Sequence, residues 1–549
     1  MRINKLKVTN FKKFKNREFE FNDDVNIIVG DNESGKSTLL EALELCLNLN
    51  YRGKPLGASI STDLFNASCV QDFLEGDKSQ DTLPEILIEA FIDEEPSLKG
   101  AKNSEGVDCA GLFVRVFFDP ELSDAYANFI KKPEAITSLP IEFYTFEWFS
   151  FAWNKVHYHS KAIKCLFVDP PRLHPTYGAQ KYITDMLNVA LKVDERSVLN
   201  LNYRQLKQKF DTQDEVVQVN NDLDAENEIT GKNLEISVDT SSQTSWESNL
   251  QINLDKVPFS QIGKGEQHQV QIKLALWQKA KDTDVIMIEE PENHLSHLNL
   301  VKLIKFIEEK HEGQQVFLTT HSSYVLNKLS FDKLCLISNE YKRLHAVDGQ
   351  TIKTLKRLPG YDTLRAVLSQ KIILVEGPSD ELLIKKLYLN ENDKLPEEDG
   401  IDVIVVRGIG FKNYLNIIMH LGHRVHVVKD NDSNYQKNIT EWQTPYNNYD
   451  FISIFSPNNN DEYSLEPSLI EANGENLEQL NNFAQIALST QTYNNYNTGT
   501  LEERKAFLLD WFTGSDKGSR KVDSAIRIFD SDENIIFPDY LSEAIYFDE

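Results

Sequence analysis

The sequence predicts an α/β protein built from two units with parallel sheets, the first interrupted by a helical insertion. Three observations carry this. An apolar run (Val25, Ile27, Ile28, Val29) leads into Gly30-x-x-x-x-Gly35-Lys36-Ser37 and then into helical apolar spacing at Leu39, Leu40, Ala42 and Leu43. A second apolar run, 285–288, ends in Glu289 and Glu290, 253 positions after Lys36 (289 − 36). After Tyr361, strands and helices alternate anew, and the strands end in Glu376, Asp430 and Asp432.

In chain order, residues 1–22 alternate at Ile3, Leu6, Val8, Phe11, Phe14, Phe19 and Phe21, which fits two antiparallel strands. The glycine loop follows. Glycines are needed there because the backbone N–H groups must curl around a polyphosphate, and side chains would block that approach. Lys36 is expected on the β- and γ-phosphates and Ser37 on Mg²⁺, with Gly30, Asn32, Gly35 and Thr38 completing the nucleotide-binding set. The helix N-terminus adds its partial positive charge. Further strands are expected at 85–92 and 112–118, and the aromatic run 141–153 reads as sheet core. Residues 174–210 turn helical, with Tyr182, Met186, Leu187, Ala190 and Leu191 at helix spacing. Between 214 and 239, eight acidic residues face one lysine, a pattern that fits a solvated connection or exposed helix face. A Gly263-Lys-Gly265-Glu266-Gln267 segment then precedes an amphipathic helix through Val270, Ile272, Leu274, Leu276 and Trp277. The strand ending at Glu289 delivers two carboxylates at its C-terminal tip, where open α/β sheets build their sites. Glu289 is expected in the Mg²⁺ shell, and Glu290 is expected to orient or deprotonate water. The strand 316–320 ends at His321, within expected reach of the γ-phosphate.

Composition narrows the classes. At 549 residues the chain should hold two to four domains, and its 40% hydrophobic and 26% charged content is that of a globular protein. No apolar run approaches the ~20 residues of a membrane helix, and the absence of a signal-peptide core predicts a cytoplasmic protein. Cys46, Cys69, Cys109, Cys165 and Cys335 are scattered, which argues for reduced thiols and against a zinc site. The net charge of −27 argues against coating nucleic acid, since phosphate neutralisation usually supplies that affinity. Contact with nucleic acid must then be local, metal-assisted or dependent on a partner. The early lysines (Lys5, Lys7, Lys12, Lys13, Lys15) with Arg17 read as a solvated strand face, with a basic patch as the alternative.

The 30–37 loop, the 263–267 segment, Glu289-Glu290 and Thr320-His321 resemble the ABC-type ATPase head of the SMC and DNA-repair families. In that class the signature loop of one head contacts the nucleotide of another, so Gly263, Gly265 and Glu266 join the expected nucleotide set and a homodimer or higher homo-oligomer is implied. Gly263 stands where many such heads carry serine, which removes one hydroxyl contact and leaves the backbone N–H groups of Gly265 and Glu266.

The second unit reads as strand 371–375, a Glu376-Gly377 turn and a helix through Leu382, Leu383 and Leu387. Strands at 402–406 and 424–428 follow, the latter leading to Asp430-Asn-Asp432. Carboxylates at strand ends suit hard divalent cations, and an Asp-x-Asp pair leaving a strand sends both side chains to one face. The pattern resembles a Toprim domain. An ABC head followed by a Toprim domain resembles the OLD (overcoming lysogenization defect) family of ATP-dependent endonucleases. That resemblance adds Glu466, in the 464–469 segment, as a metal ligand and Lys521 as a catalytic lysine, with Asp380 as ligand or orienter and Glu376 as ligand or general base.

The expected layout is an ATPase N-terminal lobe at 1–165, a helical insertion that dimerises at 166–248, an ATPase C-terminal lobe at 249–362 and a Toprim nuclease domain at 363–549. The resemblance implies ATP and Mg²⁺ (or Mn²⁺) at both sites, two-metal cleavage of nucleic acid with DNA as first choice, and anti-phage defence. The resemblance leaves three arrangements open: a nuclease acting alone, with a helicase partner, or as the effector of a retron reverse transcriptase with its RNA and DNA. The rival from another class is a non-nucleolytic ATP-driven clamp or scaffold with a structural Toprim domain. A topoisomerase is disfavoured because nothing marks one of the 20 tyrosines as a nucleophile.

Overall fold

The computed structural model describes residues 1–549 apart from 53, 94, 132–135, 157–160, 162, 169–192, 226–233, 240–245, 247–249, 251–252, 264, 268, 271–282, 294, 311–312, 330, 339, 345–348, 358–362, 408–409, 497, 514–516 and 548–549. The helical spacing at Tyr182–Leu191 and most of the helix expected after Gln267 lie outside the described residues. Contacts divide the chain into two units, Met1–Ile28 with Gly35–Thr320, and Val29–Ser34 with His321–Glu549.

In the first unit, β1 (Ile3–Phe11) and β2 (Phe14–Glu20) form the expected antiparallel pair. Then come β3 (Val25–Val29), buried throughout, and α1 (Lys36–Asn48). β4 (Ile86–Ile92), β5 (Cys109–Phe118) and β6 (Tyr144–Ser150) continue an antiparallel sheet in the order β2-β1-β4-β5, with β6 on β5. The 141–153 aromatics are sheet residues as expected: Tyr144 and Trp148 are buried, and the Trp148 indole N–H donates to the Cys46 carbonyl at 2.8 Å.

A parallel sheet underlies the nucleotide loop. β7 (Cys165–Val168) precedes the insertion helices α2 (Val193–Asp211) and α3 (Asp214–Ala225), and β8 (Val285–Glu289), α4 (His297–Lys310) and β9 (Gln315–Thr319) follow them. The strand order is β7-β8-β9-β3, all parallel. β8 and β9 are buried at every position, which is why they read as unbroken apolar runs. The early lysines are held within the chain: Lys5 and Lys7 meet Glu105 at 2.5 and 3.4 Å, Lys15 meets Asp72 at 3.0 Å, and Lys12 pairs with the fully buried Glu41.

In the second unit, α5 (Ser323–Leu329) precedes the antiparallel pair β10 (Leu334–Ile337) and β11 (Tyr341–Arg343). Beyond it come β12 (Lys371–Val375), α6 (Pro378–Asn392), β13 (Ile401–Val405), α7 (Gly410–Leu421), β14 (Arg424–Val428) and β15 (Ile452–Phe455). These strands form a parallel sheet in the order β13-β12-β14-β15. Helices α8 (Leu465–Ala472), α9 (Leu477–Ala487), α10 (Leu501–Thr513), α11 (Lys517–Asp530) and α12 (Asp539–Ala544) pack a shared core through Leu469, Phe483, Leu508, Ile528 and Leu541.

Candidate functional site

The nucleotide loop leaves β3 at Gly30 and enters α1 at Lys36. Both motif glycines are dictated by space and backbone. A Cβ on Gly30 would meet the Ile337 carbonyl oxygen at 2.3 Å and the Ser34 Oγ at 2.4 Å. Gly35 caps α1 at φ 109°, with the Phe14 ring 2.7 Å from where a Cβ would sit. Glu33 also takes a positive φ, 64°, so the loop curls tightly. Lys36 is 6% exposed and Thr38 is buried, while Asn32 is exposed and Ser37 half-buried. Among the described residues the buried Ser34 hydroxyl has no hydrogen-bond partner, which suits a loop made to receive an acceptor-rich phosphate.

Glu289 ends β8 and is buried. Glu290 steps out at φ 41°, its N–H donating to the Thr319 carbonyl and hydroxyl, both at 3.1 Å. The positive φ ends the strand geometry directly after Glu289. Asn293 donates to the Glu290 carboxylate, and Thr320 donates to Glu292 at 2.8 Å. In the 263–267 segment Gly263 and Glu266 are exposed and Gly265 half-buried, and the Gln267 side chain donates to the Phe259 and Ile262 carbonyls at 2.9 and 3.2 Å. His321 is exposed in the second unit.

The carboxylate centre lies wholly within the second unit. β12 ends at Val375, and Glu376-Gly377 turns into α6. Asp380, at the third helical position, accepts the Gly377 N–H at 3.0 Å, so it closes the helix start as well as facing the centre. Glu466 sits in the first turn of α8, 5% exposed, and accepts from Lys521 of α11 at 2.7 Å. The bond joins residues 55 positions apart, and Lys521 is therefore no free surface lysine.

The Asp430-Asn-Asp432 segment departs from the expected reason for its shape. β14 stops at Val428, so strand alternation does not aim the pair. Asp430 is half-buried and Asp432 exposed, with Asp432 and Ser433 both left-handed at φ 48° and 62°. Asn431 between them does the holding. It is fully buried, donates to the Pro457 and Asn459 carbonyls (each 2.8 Å) and accepts the Ser433 N–H at 2.9 Å. The Asp432 N–H donates to the Tyr463 carbonyl at 3.1 Å.

These carboxylates feel one another. Burial, then Asp380, Glu376, Glu466 and Asp432, push the Asp430 carboxyl up to about 9. Burial and the neighbouring Glu466 push Asp380 up to about 7. Burial raises Glu376 as well, against the pull of Lys429. Tyr540, just inside α12, is raised well above its ordinary range by burial beside Asp430 and Asp380. Among the described residues no three Asp, Glu, His or Cys side chains close on one point to hold an ion as they stand. Glu376, Asp380 and Glu466 instead meet Lys429, the Gly377 N–H and Lys521. The donor set is all oxygen and mutually repelling, which is the chemistry of a hard divalent cation.

Family descriptions match three stretches: an AAA ATPase domain over residues 1–137, an AAA domain described as a putative AbiEii toxin of a type IV TA system over 201–327, and the overcoming lysogenization defect protein-like TOPRIM domain over 367–432. Endonuclease GajA of Bacillus cereus (strain VD045) is 22% identical over 473 residues, covering 80% of this chain and 76% of that protein. The chain carries AAA ATPase domains and, behind them, an OLD-like TOPRIM domain. Endonuclease GajA of a second strain, HuB5-5, is 26% identical over 219 residues, 33% of this chain and 32% of that protein. Among solved structures, an SMC head bound to the C-winged helix domain of ScpA matches at TM-score 0.33 and 14% identity over 63% of this chain and 99% of that one. The recombination mediator RecF with ATP matches at TM-score 0.33 and 14% identity, covering 62% and 99%. The OLD-type pairing of an ATPase domain with a Toprim domain implies use of a nucleotide and of divalent metal. Glu376, Asp380, Asp430 and Asp432 fall inside the matched TOPRIM residues, whereas Glu466 and Lys521 lie outside them. No helix among the described residues is long and apolar enough to cross a membrane.

Proposed function

We propose that this chain is an ATP-binding and ATP-hydrolysing, divalent-metal-dependent endonuclease that cleaves nucleic acid, DNA first, in defence against phage. The observation that carries the nuclease reading is the carboxylate centre: Glu376, Asp380, Asp430, Asp432 and Glu466, from three separate segments, each raising the charge cost of another. The similarity to Endonuclease GajA supports the same reading, and the AbiEii description supports the defence role.

Divalent ions (Mg²⁺ or Mn²⁺) bound there supply an activated water and offset charge on the leaving oxygen. Glu376, Asp430, Asp432 and Glu466 are the proposed ligands. Asp380 keeps the Glu376 turn in place through the Gly377 N–H, and Glu376 is also the proposed general base. Lys521 holds Glu466 and offsets negative charge on the transition-state phosphate. At the ATP site Lys36 grips the β- and γ-phosphates, and Ser37 and Glu289 hold Mg²⁺. Glu290 orients water there, and His321 reads the γ-phosphate.

We place the signature residues Gly263, Gly265 and Glu266 on the nucleotide of a second copy, and dimerisation in the 166–248 insertion. Exposed apolar side chains on α2 and α3, including Leu201, Leu206, Phe210, Val217 and Val219, support that face. Sedimentation should give a dimer or larger; a strict monomer would sink the arrangement. The deciding experiment for the function incubates the protein with supercoiled and linear DNA, with Mg²⁺ or Mn²⁺, with and without ATP. Nicks or breaks are expected. Topoisomers, RNA primers or an inert plasmid would overturn the nuclease.

A further inference from the structure

The residue that precedes the Asp-Asn-Asp segment has no place in the scheme above. Lys429 follows β14 directly, at a position where the sequence shows only the end of an apolar run. Its side chain is 12% exposed, and its ammonium lies 3.8 Å from the Glu376 carboxylate. Two further contacts fix it. It donates to the Asp430 carbonyl at 3.0 Å and lies 5.9 Å from the centroid of the Trp442 ring. That indole is itself wedged, edge-on to Phe411 with centroids 6.0 Å apart and against Tyr446 at 5.2 Å.

We infer that Lys429 is a positioning residue of the carboxylate centre, a fixed cation that aims Glu376. Two of its three anchors do not involve a carboxylate, so the ammonium keeps its seat when Glu376 engages another group. Lys521 does the corresponding work for Glu466. The two ammonium groups hold these carboxylates at fixed bearings. Losing Lys429 would let Glu376 turn toward solvent, since its side chain is 40% exposed and Lys429 is the cation paired with it among the described residues.

This inference rests on the metal-dependent reading above, and its test separates the two. The full chain carrying Lys429→Met or Lys429→Arg is compared with the parent in single-turnover plasmid nicking at saturating Mn²⁺, and in Mn²⁺ titration followed by electron paramagnetic resonance. Lys429→Met should slow nicking about tenfold or more, since small misplacements are costly in rate. The DNA concentration for half-maximal rate should stay unchanged, while Mn²⁺ binding weakens several-fold. Lys429→Arg should recover most of both. Parent-like values for Lys429→Met, tighter Mn²⁺ binding, or an arginine variant no better than methionine would each overturn the inference. Should Lys429→Met fail to fold, Trp442→Leu carries the same expectation at smaller size. A parent that binds Mn²⁺ but never nicks defeats the nuclease reading, and the Mn²⁺ titration still judges Lys429.

Discussion

The nucleotide loop and the carboxylate centre are built on opposite principles. The loop is one continuous stretch, Gly30 to Thr38, and its shape follows from steric exclusion at Gly30 and a left-handed backbone at Gly35. The carboxylate centre draws on a β12–α6 turn, a post-strand loop, α8 and α11, and is held by long-range contacts such as Lys521 with Glu466. The first offers N–H groups and a lysine to an anion; the second offers oxygens to cations. A local motif tolerates change elsewhere in the fold. An assembled centre depends on every segment that feeds it.

If the two are separate machines, the largest effects should be complementary. Lys36→Ala should abolish nucleotide binding. Asp430→Ala and Asp432→Ala should eliminate cleavage while leaving ATP hydrolysis near the parental rate, because a lost ligand misplaces the ion on which both nucleophile and leaving group depend. Glu290→Gln should bind ATP and hydrolyse it slowly. Nucleotide binding by fluorescence, phosphate release and plasmid nicking measured on the same four variants decide this. Cleavage in the aspartate variants would break the comparison outright.

Lys521→Ala should come next in size. Loss of one cation that stabilises transition-state charge is typically worth ~3–4 kcal/mol, or about 10²–10³ in rate. The ion pair adds a second consequence. Glu466, 7% exposed at its side chain, is left without its ammonium, so the variant should also melt lower. Glu466→Gln added to Lys521→Ala should restore melting but not cleavage. Recovery of both would make the pair a structural strut and nothing more.

At the loop, Gly35→Ala should weaken nucleotide binding and destabilise α1 by ~1–3 kcal/mol, the usual cost of forcing a side chain into such backbone. The Phe14 ring must move as well. Phe14→Leu should soften the loss if the ring contact matters, and leave it unaltered if the backbone angle alone is responsible.

How much of this was legible depended on how local each feature is. The strands β8, β9, β12, β13 and β14 read directly because each is mostly apolar and mostly buried. The four-residue β15, Ile452–Phe455, was too short to stand out between Asp450 and the asparagines at 458–460. The two aspartates at 430 and 432 were legible as residue types, but Asn431 was not. Its work is to bond Pro457 and Asn459, 26 and 28 positions away, and nothing in the local pattern announces that. Lys429 escaped for the same reason, with its partner Glu376 lying 53 positions back (429 − 376). The Glu289-Glu290 pair read correctly as a strand tip, while the φ of 41° at Glu290 is not announced by the dipeptide.

The smallest effect expected is a dependence of stability on pH that belongs to the second site alone. Asp430 and Asp380 are pushed up to about 9 and about 7 by burial and by neighbouring carboxylates. An unfolded aspartate titrates near ~3.9. Between that value and the raised ones the folded chain holds protons that the unfolded chain has already released, so the metal-free protein should lose stability as pH rises from about 4 towards 7 and then 9. The sign is opposite to that of a salt-bridged carboxylate, which gains stability over its window as pH rises. Divalent ions bind the deprotonated ligands, so the stabilisation that Mg²⁺ or Mn²⁺ confers should grow across the same range. Melting curves with and without Mn²⁺ at pH 5, 7 and 9 would show a gap that opens with pH by a few °C. Asp430→Asn should flatten the metal-free slope and shrink the gap, while Lys36→Ala should leave both intact. A gap of constant width in the parent would mean that these carboxylates are ionised before the metal arrives, and that their mutual repulsion is already offset by Lys429 and Lys521.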